Sequence, residues 1–395
     1  MGMKKCKLAV IGFGQRGYNY IKMITGTPEA ELTAICEIDP KRGAAFAKEL
    51  DVEHVPQYTS LDEMLEKADF DAAIITTPDF THKECAIACC KKGKPIMLEK
   101  PMTPIAGDCR EIINTAFANN CFIQVGFVLR HHPVFRRVIE IARSGALGQI
   151  LNISSMEEIS VMHGASYMRR WHRKLANSGG FILAKCSHDL DIINSVANGK
   201  VRRVASFGSI DHFTTDKLKY ETCSQCPDQE CRYRFKGEFV RMTPEEKANP
   251  SEKPFDICVY TKEKELVDHE VAIMDFDNGI KATFTLNLFA EIPKRTINVA
   301  GTNGILYGDT ASELITIHYS DGRAAETIDC SHKDSSGHGG SDQGFLNEFI
   351  ACVLNGTKPQ ADFMSGLATT VIGNAIEKAR LTNTVVEIAP ESYQL

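Results

Sequence analysis

Short apolar runs alternate with stretches of helical periodicity along the first third of the chain. The runs Leu8–Ile11, Leu32–Cys36, Ala72–Thr76, Pro95–Leu98 and Phe122–Val125 have the length of buried strands, and helices are predicted between them. This order predicts a doubly wound parallel sheet with helices on both faces. One helix is expected to open at Ser60-Leu61-Asp62-Glu63, where the serine and the glutamate can each take a backbone N–H that the first turn leaves unpaired. Beyond about Arg130 the strands lengthen and alternate, over Ile150–Glu157, Val201–Ile210, Glu270–Phe276 and Lys281–Leu288. Asp277-Asn278-Gly279 between the last two predicts a tight hairpin with positive φ at Asn-Gly, and so an open, mostly antiparallel sheet. Helices over 130–143, 180–196 and 344–355 are expected to cover one of its faces. A further helix over 366–382 is placed to pack back on the first domain. The fold class is therefore α/β, with a second α+β domain, and the division is expected at 1–129 and 130–395.

Gly12-Phe13-Gly14-Gln15-Arg16-Gly17 follows the first strand and opens a helix, the context in which G-x-G-x-x-G spacing acquires a mechanism. Gly12 permits the tight turn, Gly14 lets the backbone approach a pyrophosphate, and Gly17 lets helix and strand pack closely. The helix N-terminus then favours the phosphate charge. The six residues are read together as cofactor-binding. Glu37 ends the second strand, 20 residues after Gly17, where a carboxylate can take the adenosine ribose hydroxyls. The first domain thus reads as a Rossmann domain for a nicotinamide dinucleotide. NAD is expected over NADP because that carboxylate repels a 2′-phosphate, while Lys41 and Arg42 just downstream weaken the preference.

Composition narrows the class of partner. Of 395 residues, 43% are apolar and 24% charged, enough for sizeable cores without disordered bias. The net charge of -6, from 45 basic and 51 acidic residues without a long basic run, argues against nucleic acid. No apolar stretch reaches membrane-spanning length, and the opening residues run into a strand without a signal-peptide core, so a cytoplasmic protein is expected. Fourteen cysteines, most set singly in apolar patterns, fit a reducing compartment better than a disulfide framework.

Three further motifs follow strands or open helices: Thr77-Pro78-Asp79-Phe80-Thr81-His82, Glu99-Lys100-Pro101, and Gly179-Gly180 with His188-Asp189-Leu190-Asp191. With the glycine loop, Gln124-Val125-Gly126-Phe127, Arg130 and Pro133, they make the chain resemble the Gfo/Idh/MocA family over nearly its whole length. That family groups glucose-fructose oxidoreductase, inositol dehydrogenase and rhizopine-catabolism proteins. The resemblance implies a homodimer or homotetramer formed through the open sheet. It also implies that Thr77, Pro78, His82, Glu99, Lys100 and Gln124 join the cofactor site, and that Lys100 and His188 are catalytic. Their chemistry suits hydride transfer, because an alcohol that loses hydride also loses its hydroxyl proton, and a histidine with an ordinary pKa near about 6.5 beside a lysine can carry it. Asp191 follows His188 by one helical turn, to orient the imidazole or to cap a turn.

The chain departs from the family at one position. Many members carry an acid four residues before this histidine, where Ala184 stands here, and the neighbouring Lys185 points about 100° away around a helix. The resemblance places Tyr167, Arg170, Trp171 and Arg173 near the substrate, with Arg130 and Asp191. Aromatic faces pack on sugar C–H surfaces and guanidinium groups take hydroxyl or carboxylate oxygens. The basic run Arg169-Arg170-Trp171-His172-Arg173 suits an acidic sugar. Gly337-His338-Gly339-Gly340-Ser341-Asp342 resembles a family element that carries His338 to the active site, or else it simply opens a helix.

The expected function is an NAD-dependent dehydrogenase acting on a secondary alcohol of a sugar, sugar acid or cyclitol. The alternatives are a redox-assisted glycosidase or lyase that retains its NAD, and a non-catalytic nucleotide- or sugar-binding sensor. Cys223, Cys226 and Cys231, with Cys258 as a fourth partner, form a set whose thiolates suit a structural zinc, an apo thiol cluster or an iron–sulfur site.

Overall fold

The computed structural model describes residues 4–237, 239–248, 255–332 and 340–395. β1 (Cys6–Ile11), β2 (Ala30–Cys36), β3 (Gln57–Tyr58), β4 (Ala72–Ile75), β5 (Ile96–Leu98) and β6 (Ile123–Val125) form a six-stranded sheet in the order β3-β2-β1-β4-β5-β6, parallel throughout. β4 is buried at all four residues, which is why it reads as an unbroken apolar run. β3 has two residues and no apolar run, so no pattern announces it. α1 (Gln15–Thr25), α2 (Pro40–Glu49), α3 (Leu61–Lys67), α4 (His82–Lys91) and α5 (Ala106–Ala118) connect the strands. Only half of the expected capping box forms at α3: Ser60 accepts from the Glu63 N–H, while the Glu63 carboxylate pairs with Lys67 at 2.8 Å. Strand order reverses between β1 and β4, and the loops after β1, β4 and β5 come together at the carboxyl edge there, the place where ligands bind in sheets of this kind.

The second sheet takes β7 (Ile150–Ser160), β8 (Val201–Ser209), β9 (His269–Phe276), β10 (Lys281–Ala290), β11 (Lys294–Gly301), β12 (Gly304–Asp309), β13 (Leu314–Tyr319), β14 (Glu326–Asp329) and β15 (Val386–Glu387) in the order β14-β13-β12-β11-β7-β10-β9-β8-β15. β7 and β10 pair in parallel and the other pairings are antiparallel. The turn between β9 and β10 uses a positive φ at Gly279 alone. Asn278 instead spends its side chain on the Ala197 carbonyl at 2.8 Å, which ties the turn to a neighbouring helix.

The remaining helices are α6 (Pro133–Arg143), α7 (Val161–Arg169), α8 (Leu175–Ser178), α9 (Phe181–Ala197), α10 (Pro244–Ala248), α11 (Ser341–Asn355) and α12 (Phe363–Thr382). α6, α9 and α12 pack against the second sheet, and α12 also packs on α5 and β6 of the first, as its position in the sequence had left open. The opposite face of the second sheet is solvent-exposed and partly apolar, with the cross-strand pair Phe207 and Val271, and with Ile273, Ile305 and Tyr307.

Glu270 lies buried beneath α12, where it accepts from Ser206 at 2.7 Å and faces Glu377 and Arg380. Burial, reinforced by Glu377 and opposed by Ser206 and Arg380, raises its pKa to about 7. The folded chain then holds a proton that the unfolded chain releases near pH 4.5, so the contribution of this group to stability falls as pH rises from about 4.5 to 7, by about 3 kcal/mol. Thermal melts of Glu270→Gln are expected to lose that part of the pH dependence and to gain on wild type above pH 7. Parallel curves for the two proteins would show that Glu270 does not titrate in this range.

Candidate active site

The glycine loop leaves β1 and turns at Gly12, whose φ of 90° admits no ordinary side chain. A Cβ at Gly17 would lie 2.0 Å from the Gly12 carbonyl, so α1 can meet the strand only because that residue is glycine. Gly14 caps α1, and a Cβ there would meet nothing within 4 Å. At the end of β2, Glu37 accepts from the Phe13 N–H at 2.7 Å and from the Asp39 N–H at 3.0 Å. Phe13 offers the site only this backbone group, since its ring is fully buried against Tyr18 and Phe46. Gln15 bonds Asn19 on the exposed side of α1.

Several residues expected to touch the cofactor also hold the loops together. Arg16 binds Glu99 at 2.7 Å, Asp342 at 2.8 Å and the Tyr20 hydroxyl at 3.0 Å, which locks the glycine loop to the start of α11. His82 is fully buried, with its ring nitrogens 2.9 Å from the Thr77 carbonyl and 3.0 Å from that of Pro101. It joins the loop after β4 to the loop after β5, and burial keeps its pKa below the ordinary value. Gln124 turns into the interior and donates to the Phe345 carbonyl and to Glu348. Glu99 takes Arg16 on one oxygen and the Lys100 N–H on the other. Thr77 packs its methyl group 3.0 Å from where a Gly12 Cβ would stand, and Pro78 leads on in extended backbone to Asp79.

Lys100 crosses from the first sheet to the second domain, where its Nζ donates to the Ala184 carbonyl at 2.6 Å, one helical turn before His188. Burial lowers its pKa, Asp79, Glu99 and Glu157 oppose that shift, and Lys185 adds to it. His188 is buried, its ring 6.3 Å from that of Phe127. Asp79 is the residue that motif reading passed over. It is 7% exposed, its Oδ2 has no hydrogen-bond partner among the described residues, and burial holds its pKa well above the carboxylate range despite Lys100 and Arg170.

Behind this pair lies a second ionic cluster that sequence spacing did not reveal. Lys185 does turn away from the Ala184 face, as helix geometry requires, and it reaches Glu157 of β7 at 2.9 Å. Arg295 also binds Glu157, and it binds Asp189 at 3.0 Å. Burial works to raise the Glu157 pKa, but Arg295 and Lys185 hold it well below the usual range, whereas burial lifts Asp189 to about 8. Cys186 closes the group, whose three ligand-type atoms lie within 4.8 Å of one another. With two cations already bound to its carboxylates, the cluster is an ion-pair network.

The expected substrate residues divide. Arg130 and Asp191 bind each other through two hydrogen bonds of 2.7 and 2.6 Å. Arg173 pairs with Glu263 at 2.6 Å. Arg170 instead faces Tyr167 and Asp79, and its Nε has no partner among the described residues. Tyr167 is buried against Phe181 and His172, and Trp171 stacks on His172 while its edge meets Phe80 of the first domain at 5.7 Å. His338 lies outside the described residues.

Among the described residues Cys223, Cys226, Cys231 and Cys258 do not bring three ligand atoms within 4.8 Å, and all four are free thiols. The segment between β8 and β9 has other means of ordering. Asp256 accepts from the Ser224 N–H and hydroxyl, Asp268 accepts from the N–H groups of residues 211 to 213, and Phe213, Tyr233, Tyr260 and Phe289 form an aromatic core.

Comparison with known proteins gives the same picture. The family described as "Oxidoreductase family, NAD-binding Rossmann fold" matches residues 6–127, and the GFO/IDH/MocA C-terminal domain matches 135–307. Inositol 2-dehydrogenase 1 of Paenarthrobacter aurescens is 34% identical over 217 residues, 54% of this chain and 56% of its own. The scyllo-inositol 2-dehydrogenase (NAD(+)) of Bacillus subtilis is 28% identical over 207 residues, 52% and 57%. The chain thus spans about half the length of these two relatives. In fold it superposes on a levoglucosan dehydrogenase solved with NADH and levoglucosan, with a TM-score of 0.77 at 16% identity over 98% of this chain and 100% of that one. Both halves of one family architecture therefore lie in order along this sequence, and the chain belongs to the Gfo/Idh/MocA oxidoreductase family.

Proposed function

We propose that the chain is an NAD-dependent oxidoreductase that transfers hydride to or from a secondary alcohol of a sugar, sugar acid or cyclitol. In this reading 1–129 hold the dinucleotide and 130–395 the substrate. The position of Lys100 carries it: a half-buried ammonium group at the carboxyl edge of the first sheet, bonded to the turn of α9 that leads to His188. The inositol dehydrogenases among the relatives and the levoglucosan complex among similar folds support a polyol or sugar as substrate.

The site fits a dinucleotide, because open space beside Gly14 suits a pyrophosphate and the held Glu37 carboxylate suits ribose hydroxyls. NAD bound there supplies the hydride acceptor or donor. Lys100 spends one of its three N–H groups on Ala184 and keeps two for the reacting oxygen and the nicotinamide ribose. His188 exchanges the hydroxyl proton. Asp79, whose burial raises its pKa well above the ordinary carboxylate value, is the nearby acid that takes the place of the one absent at Ala184. Arg170 offers a cation to a hydroxyl or carboxylate, and Trp171 with Phe80 gives the apolar wall. The exposed apolar face of the second sheet fits a second copy of the chain, as a homodimer or homotetramer would need.

Incubating the protein with NAD and a panel of cyclitols, aldoses and uronates tests the reading by net formation of reduced cofactor. Bond cleavage without net reduction would move it to redox-assisted elimination, and binding without either would make it a sensor. Titration calorimetry is expected to give NAD an affinity at least about tenfold above that of NADP, because in this reading the Glu37 carboxylate meets the ribose hydroxyls and repels a 2′-phosphate. Equal affinities would remove Glu37 from that role.

A further inference from the structure

The segment between β8 and β9 reaches across to the first domain beside the adenosine end of the crevice. Arg241 lies 3.5 Å over the Tyr18 ring and pairs with Glu49 at the end of α2. Thr243 and Glu246 form a reciprocal cap on α10: the Thr243 N–H donates to the Glu246 carboxylate at 2.8 Å, and the Glu246 N–H donates to the Thr243 hydroxyl at 3.2 Å. The other oxygen of that carboxylate binds Arg42 at 2.6 Å, with the Glu246 side chain 4% exposed and that of Arg42 22%. Glu245 lies 3.7 Å from Lys41 in a solvent-exposed pair.

Arg42 stands on the first turn of α2 next to Glu37. A Cβ at the adjoining Gly43 would come 3.7 Å from the Glu37 Cβ, so this turn packs directly on the residue placed to read the ribose. A 2′-phosphate in that place needs a cation such as Arg42. Here the cation is already held by a mostly buried carboxylate whose own geometry is fixed by the α10 cap.

We propose that Glu246 determines the choice of dinucleotide, by occupying Arg42 and leaving Glu37 as the group that meets the ribose. The inference rests on the dinucleotide reading of the Glu37 crevice and adds a second residue, from the other domain, to its selectivity. In this reading Arg42 is engaged by Glu246 and does not offset the preference that Glu37 sets, whereas Lys41 stays solvent-exposed.

The decisive measurement is NADH and NADPH binding to the full-length protein by nucleotide fluorescence, which requires no substrate. Glu246→Gln keeps the shape and an acceptor for the Thr243 N–H but removes the negative charge that engages Arg42. It is expected to improve NADPH relative to NADH by about tenfold, the scale of one charge-assisted hydrogen bond to phosphate. Adding Arg42→Ala should return the ratio to that of wild type. Arg42→Ala alone should leave NADPH binding unchanged, because the guanidinium is already engaged. An unchanged ratio in Glu246→Gln, an equal loss for both nucleotides, or a marked NADPH loss in Arg42→Ala alone would each overturn the proposal. A wild-type protein that prefers NADPH would instead overturn the reading of Glu37.

Discussion

Lys100→Ala is expected to lower kcat/KM on the true substrate by roughly 10²–10³-fold, the cost of removing one positioned donor from a developing oxyanion. The methyl group that replaces the side chain leaves the Ala184 carbonyl without its donor and Asp79 without the neighbouring cation. Dinucleotide affinity should fall as well, because the same ammonium group serves the nicotinamide ribose in the proposed site. Lys100→Arg should not restore turnover, since a planar fork cannot place compact N–H groups at the same points. Retention of turnover within a few-fold of wild type in Lys100→Ala, with folding confirmed by a melt, would remove the lysine from the reaction.

His188→Ala should separate the two steps that Lys100 joins. Turnover is expected to fall by about 10²–10⁴-fold, the range for a general acid–base group, while NADH binding stays close to wild type. The imidazole lies on α9, away from the glycine loop, and packs beside Phe127. Near-normal turnover of His188→Ala would assign the proton to another group, and Asp79→Asn is the next variant to measure. A large loss of NADH affinity would show that the histidine shapes the nucleotide pocket.

The parts of the site that could be read along the chain are those in which one residue type answers one backbone demand. Gly12 and Gly17 are legible because only glycine allows that φ and that approach to β1. Lys100 is legible through the Glu99-Lys100-Pro101 motif that the family resemblance marks, at the carboxyl end of a buried strand. Arg130, Asp191, Gln124 and His82 carry equally suggestive chemistry, and in the structure each also bonds within the protein, to a side chain, a backbone carbonyl or both. A motif gives the residue type at a position but not what its polar atoms face.

The sequence by itself determined the two layers of the protein. Unbroken apolar runs can be satisfied only by strands covered on both faces, and alternating ones by strands covered on one, so the parallel and mostly antiparallel sheets follow from local pattern. It also determined the glycine loop and Glu37, whose spacing is set within a single βαβ unit. Only the tertiary structure decided which charges remain available. Arg16 meets Asp342 from 326 residues away, Arg42 meets Glu246 from 204 and Arg295 meets Glu157 from 138, and no local periodicity records such a pairing. The physical reason is that burying a charge is tolerable only beside a partner, and the partner is chosen by how whole elements dock.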